Sequence, residues 1–316
     1  MIMDTSLVFN KIKSLRENIE KVIRGKTEII ELAIATLLTR GHLLIEDIPG
    51  VGKTTLAHGL ARSIDATFKR IQFTSDLMPS DVTGVTIYNE ATREFEFRHG
   101  PIFANVVLAD EINRATPKTQ SALLEAMNER QVSVENITYE LPKPFILLAT
   151  QNPLEYAGTF PLPESQLDRF TMSIKIGYPS GEVEKEIVKS PPGELLPGKL
   201  APVVTSIEVL TMQDAVEEVR VEEDLLNYMV EIVSATRDRK SIRLGVSPRG
   251  TMAFFRSAQA MALVGGRDYC LPDDIKKVAS PVLSHRIIPA RNVMEESYEE
   301  PSRIIEDIME GISVPI

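Results

Sequence analysis

Ile48-Pro49-Gly50-Val51-Gly52-Lys53-Thr54-Thr55 is the stretch on which the fold turns. It follows an apolar run at 42–45 and precedes a helix-like segment over 54–64. Strand, glycine loop and helix in that order are the setting a phosphate-binding loop needs. Gly50 and Gly52 let backbone N–H groups turn inward around phosphate oxygens, and the helix N-terminus adds the positive end of its dipole. Lys53 can reach outer phosphates, and the Thr54 hydroxyl is a ligand for Mg2+. The generic pattern has glycine five residues before Gly52, where this chain has Asp47. A plain glycine-rich turn is the competing reading, but it leaves Lys53-Thr54 in register unexplained.

Working outward, further short segments at 68–73, 106–109, 145–149 and 172–176 are mostly apolar and are separated by helix-like stretches. With 42–45 they predict an α/β fold: an αβα P-loop core built on a parallel sheet covered on both faces. The run at 106–109 ends in Asp110-Glu111. Ligands of such sheets sit at the carboxyl ends of the strands, so Asp110 is placed to hold Mg2+ opposite Thr54, and Glu111 to orient and deprotonate a water. The run at 145–149 ends in Thr150-Gln151-Asn152, and Asn152 is a candidate partner for a terminal phosphate or that water. Two β-hairpin inserts interrupt the rhythm: 85–88 with 94–97, and 132–134 with 137–139 across Glu135-Asn136.

Helices are expected over 7–22, 27–38 and 182–188. Pro and Gly crowd 179–204 and mark a boundary. Residues 1–178 therefore read as the core, 179–204 as a linker region and 205–316 as a small all-helical lid. Within the lid, Thr211 with Asp214 resembles a capping box, Ser247-Pro248 a helix start, and Gly265-Gly266 its close.

Bulk numbers narrow the function classes. The 316 residues are 43% hydrophobic and 25% charged, with a net charge of −10. An acidic chain with no basic run argues against a non-specific grip on nucleic acid. The single cysteine, Cys270, excludes an internal disulfide and reads as a buried small hydrophobe. His42, His58, His99 and His285 lack metal-ligand spacing and read as structural or surface residues. No apolar stretch is long enough to span a bilayer, and Asp4 interrupts any leader-like start; a cytoplasmic location is the expectation.

These residues resemble the MoxR branch of the AAA+ ATPases. The matching segments are 48–54, 73–84 (FTSDLMPSDVTG), 100–120 (GPIFANVVLADEINRATPKTQ), 121–131 (SALLEAMNERQ), 149–153, 161–170 (PLPESQLDRF), 247–250 (SPRG) and 266–269 (GRDY), so that the likeness runs from about 22 to 285. An acidic residue at the position of Asp47 is common in that family. The resemblance implies ATP as ligand and a role for residues that spacing could not assign. Asn152 matches a sensor-1 residue, Arg169 an arginine finger reaching the ATP of a neighbouring subunit, and Arg249 a sensor-2 residue of the lid. The hairpins look like the helix-2 and presensor-1 inserts, and Ile23 with Gly25 looks like the segment flanking adenine. Arg114 is a further candidate for the subunit interface. A hexameric ring is implied, with the lid swinging against the core on hydrolysis, along with chaperone-like remodelling of a client and a link to von Willebrand factor A domain proteins. The rivals are an ATP-driven nucleic-acid motor, a metal-chelatase-type motor subunit, and a nucleotide-binding scaffold that does not hydrolyse.

Overall fold

The structure, a computed structural model, describes residues 5–135, 137–153, 158–191, 196–290 and 299–315. Helix α1 (Thr5–Glu20) buries Val8, Ile12, Leu15 and Ile19 on one stripe, at the spacing that brings them to one face. Helix α2 (Thr27–Leu38) is apolar on most sides and is buried on most sides. Strand β1 (Leu43–Glu46), helix α3 (Lys53–Ser63) and strand β2 (Phe68–Gln72) form the first strand–helix–strand unit. Short α4 (Pro79–Thr83) leads into the antiparallel hairpin β3 (Gly84–Asn89) and β4 (Glu94–His99). Next come β5 (Val106–Asp110), α5 (Pro117–Glu129) and the second hairpin, β6 (Gln131–Val134) with β7 (Ile137–Glu140). Strand β8 (Ile146–Gln151), short α6 (Glu164–Leu167) and β9 (Met172–Ile174) follow.

The main sheet has the order β2-β5-β8-β1-β9, and every pairing in it is parallel. Side chains alternate between its faces. Leu43, Ile45, Leu108, Ile146 and Leu148 enter one apolar cluster, while Leu44, Val107, Ala109, Leu147 and Ala149 enter the other. That is why β5 and β8 read as unbroken apolar runs: both faces are covered. Strand β2, at the edge, buries only Ile71 fully and carries Lys69, Arg70 and Gln72 outward.

The rest of the chain is mostly helical: α7 (Gly181–Lys189), α8 (Ser206–Glu217), α9 (Glu223–Asp238), α10 (Pro248–Val264), α11 (Pro272–Leu283) and α12 (Pro301–Glu310), with short strands β10 (Ile242–Leu244) and β11 (Ile288–Pro289) pairing between them. Met212, Ile232, Phe254, Ile275 and Ile304 share one cluster with Ile34 of α2 and Leu43 of β1. Each such side chain contributes about 1.5–3 kcal/mol on burial. Packing therefore crosses the boundary expected at 179–204. The lid is fused to one face of the core, so the free swing expected of it would have to open this shared apolar layer.

Smaller differences have local causes. Strand β8 runs two residues beyond the expected 149, because Thr150 and Gln151 stay in register with Ile45 and Glu46. Strand β9 stops at Ile174 rather than 176. The capping box lies at Thr205/Glu208, with the Glu208 N–H donating to Thr205 Oγ1 at 3.2 Å. Thr211 sits inside α8 and its hydroxyl donates back to the Ile207 carbonyl. The earlier of two similar signals wins because Val203 and Val204 N–H groups both bond Ser63 O, fixing where the chain enters the helix. Ser247 caps α10 as expected, accepting from the Gly250 N–H at 3.1 Å. Asn136 of the second hairpin and Pro192-Gly193 of the expected linker lie outside the described residues.

Candidate functional site

The loop after β1 is shaped by its two glycines. Gly50 has φ +88° and Gly52 φ +101°, values that cost a side-chain-bearing residue dearly. Gly52 is the left-handed N-cap of α3 and has no side chain to cover the first N–H groups of that helix. A Cβ on Gly50 would meet nothing within 4 Å. The loop thus encloses open space ringed by backbone donors. Lys53 folds back across it, its Nζ donating to the Asp47 carbonyl at 2.7 Å.

Asp47 explains its own departure from the generic pattern. Its carboxylate is buried and accepts from the Ile48 N–H at 2.8 Å and the Gly177 N–H at 2.6 Å. It ties the base of the loop to the exit of β9.

The carboxylates stand at the end of β5. Asp110 Oδ1 accepts from Thr150 Oγ1 at 2.6 Å. Asp110 Oδ2 accepts from Arg70 through Nη2 at 2.5 Å and Nε at 3.1 Å. Glu111 adopts a left-handed backbone (φ 57°, ψ 49°), a conformation that stores strain and clusters at functional sites. Its N–H donates to Thr150 Oγ1, and its Oε2 accepts from Gln72 Nε2 at 2.8 Å. Arg114, expected at a subunit interface, has its Nε 3.2 Å from Oε2 of Glu111 in its own chain. Asn152, buried, follows β8, the strand between β1 and β5.

One cleft of about 360 Å3 collects these groups. Pro49, Gly50, Gly52, Lys53, Thr54 and Thr55 form one wall, Asp110, Glu111 and Asn152 the other, and Arg70 with Gln72 reach in from β2. Val51 turns away and packs on the apolar core. The donor set fits a nucleoside triphosphate with Mg2+: N–H groups and an ammonium for phosphate, and one hydroxyl and one carboxylate for a hard cation. Mg2+ is typically held by one or two carboxylates plus substrate phosphates. Among the described residues no group of three or more His, Cys, Asp or Glu could hold a metal by itself. A larger hollow of about 620 Å3 lies between α2 and α11, but its lining contains no such loop.

Ile23 lies against the loop: a Cβ on Gly52 would sit 3.3 Å from Ile23 Cδ1. Gly25, with φ +69°, is covered by Val183 of α7. The two arginines are elsewhere. Arg169 Nη1 donates to the Leu124 carbonyl at 2.9 Å, and Arg249 Nη2 to Asn128 Oδ1 at 2.7 Å. Leu124 and Asn128 are one turn apart on α5, so both cations gather on one helix face. That face adjoins the amino ends of the strands, since His42, just before β1, bonds the neighbouring Met127 carbonyl. The cleft is at the carboxyl ends. Arg249, expected to sense phosphate from the lid, does not line the cleft of its own chain, because docking of the lid onto the core takes it to the opposite end of the sheet.

The segment that carries Arg169 is locked by the lid. Arg286, buried, donates from Nε to Asp168 Oδ1 at 2.9 Å, from Nη2 to Phe170 O at 2.5 Å, from Nη1 to Thr171 O at 3.1 Å and also to Val282 O. Burial pushes its guanidinium down to about 10 against the pull of Asp168. Ser247 Oγ donates to the other Asp168 oxygen at 3.0 Å.

The residues that sequence reading missed are Arg70, Gln72 and Thr150. One signal was available: 70 and 72 alternate along β2, so they point to one side, and Gln72 pairs in register with Asp110. Cys270 is buried, as expected, and burial pushes its thiol up to about 12.

Comparison with known proteins follows the same lines. The model of the ATPase family associated with various cellular activities (AAA) matches residues 42–172, and that of the AAA lid domain matches 234–308. The uncharacterized protein YeaC of Bacillus subtilis is 50% identical over 95% of this chain and 93% of its own. Chaperone MoxR1 of Mycobacterium tuberculosis is 39% identical over 94% of this chain and 80% of its own. Protein MoxR of Methylorubrum extorquens is 30% identical over 93% and 91%. A crystal structure of a candidate ATPase from Cytophaga hutchinsonii superposes with a TM-score of 0.89 at 39% identity, covering 99% of this chain and 97% of that one.

Proposed function

We propose, from the premise that this chain belongs to the MoxR family of AAA+ ATPases, that it hydrolyses ATP with Mg2+ in the cleft beside the glycine loop and couples turnover to chaperone-like remodelling or activation of partner proteins. The observation that carries the reading is the meeting of the loop with Asp110, Glu111 and Asn152 in one cleft. Phosphoryl transfer to water asks for positioning and charge neutralisation more than for covalent help.

Bound Mg2+ would supply positive charge to the phosphate oxygens, held by Thr54 and Asp110. Backbone N–H groups of 50–55 cradle the phosphates. Lys53 leaves the Asp47 carbonyl for the phosphate chain. Glu111, freed from Gln72 and Arg114, accepts the proton of the attacking water. Asn152 orients that water or the terminal phosphate. Ile23 and Gly25 border the base.

Arg169 and Arg249 complete a neighbour's site rather than their own. Their shared place against α5, at the far end of the sheet, supports this, because a head-to-tail contact brings that end of one chain to the cleft of the next. A head-to-tail contact that closes yields a ring, and we propose a hexamer. The partner class we propose is a client protein, with von Willebrand factor A domain proteins as the family-linked kind. The net charge of −10 disfavours nucleic acid as the substrate. No helix among the described residues is long and apolar enough to cross a membrane, and the cytoplasm is the proposed location.

Glu111→Gln tests the reading. The variant should bind ATP as the parent does and lose turnover by about 10²–10⁴-fold, the range of a positioned general base. Lys53→Ala should lose binding. A parent protein that binds ATP but shows no turnover that Glu111→Gln removes would refute it and leave a scaffold.

A further inference from the structure

Asp110 is engaged on both oxygens. Thr150, fully buried, spends its proton on Oδ1 while its own oxygen takes the Glu111 N–H, so that side of the carboxylate is fixed. Oδ2 is the oxygen left for a cation, and Arg70 holds it through two nitrogens. The exposures of the two side chains differ: 12% for Asp110 and 48% for Arg70. A carboxylate this enclosed needs a positive partner, and removing that partner without replacement is costly. Arg70 has an alternative, because it stands half in water on the edge strand and its Nη2 also donates to Gln72 Oε1 at 2.9 Å. The carboxylate is held by Thr150 and the enclosure around it, while the guanidinium has a second partner and water.

We propose that Arg70 is the resident counter-ion of Asp110 and competes with Mg2+ for it. This rests on the reading of the cleft as an Mg2+–ATP site. Arrival of the metal trades one cation for another at Oδ2, so the enclosed carboxylate never stands uncompensated. Arg70 is then released to its Gln72 contact on the half-exposed edge strand. No proton moves, since arginine stays charged throughout.

The experiment is equilibrium binding of a fluorescent, non-hydrolysable ATP analogue to the full chain, with Mg2+ titrated at fixed nucleotide. Arg70→Gln should lower the Mg2+ concentration for half-saturation about fivefold, the scale of a half-exposed ion pair. Arg70→Lys, which keeps the charge but loses the fork, should fall between and carries the test if the Gln variant does not fold. In an Asp110→Asn background the Arg70→Gln shift should vanish. An unchanged or higher Mg2+ midpoint in Arg70→Gln would overturn the competition. Failure of the parent reading looks different: no analogue binding that Lys53→Ala abolishes.

Discussion

Replacing Arg286 by Met removes the latch between lid and core while keeping the length of the side chain. The Arg286 side chain is 2% exposed and its partner Asp168 24%. The change strands a mostly enclosed carboxylate and takes donors from the Phe170, Thr171 and Val282 carbonyls. Breaking a buried pair from one side costs about 3–5 kcal/mol, and each orphaned carbonyl about 1–3. These terms overlap, so we expect a total near 3–5 kcal/mol. Asp168→Asn should cost less, about 1–3 kcal/mol, because the Phe170, Thr171 and Val282 carbonyls still hold the buried Arg286 guanidinium. In the Arg286→Met background Asp168→Asn should become nearly neutral, because the stranded charge is gone. Urea denaturation at pH 7, with midpoints read at matched slopes, measures all three. Analogue binding at the cleft should be untouched, as the latch is at the other end of the sheet. A loss below about 1 kcal/mol in Arg286→Met, or simple additivity in the double variant, would refute the latch.

Three other outcomes follow from the same contacts. Asp47→Ala leaves the Ile48 and Gly177 N–H groups without acceptors and should cost about 1–3 kcal/mol in thermal unfolding and weaken analogue binding; Asp47→Asn should recover part of both. His42 is neutral in the fold, with burial pushing it from 6.5 to about 4. The unfolded chain takes up a proton first, so stability should fall as pH drops from 6.5 towards 4, by up to about 3 kcal/mol. His285, also pushed down by burial, adds to that slope, so His42→Gln should flatten it in part. Phe97 stacks on Tyr139 with ring centroids 4.3 Å apart. Phe97→Ala should speed amide exchange in both hairpins, at 84–99 and 131–140, with global stability changed by less than about 1.5 kcal/mol.

What the chain disclosed locally it disclosed well. The glycine loop, Asp110-Glu111 and the two hairpins are each written in one short consecutive stretch, and periodicity or turn chemistry is enough to find them. What it hid is non-local. Arg70 looks like ordinary edge-strand polarity until register sets Gln72 opposite Asp110 and Arg70 one step back on the same side, within reach of its carboxylate. Thr150 reads as a strand end until the ladder extends through it. Arg249 was legible as the second residue of a helix, but its place depends on which face of the sheet the lid packs against. That choice is made by Met212, Phe254 and Ile275 joining Ile34 and Leu43 in one cluster, a property no short window carries.

The placing of acceptor and donor at opposite ends of one sheet makes the chain a vector. On the proposed reading, a copy lacking Lys53 still lends Arg169 to its neighbour, and a copy lacking Arg169 still owns an intact cleft. Each is silent as a pure population. Mixed, they should restore hydrolysis at those junctions where an intact cleft faces an intact arginine. Complementation between two dead proteins is thus written into the direction of the polypeptide.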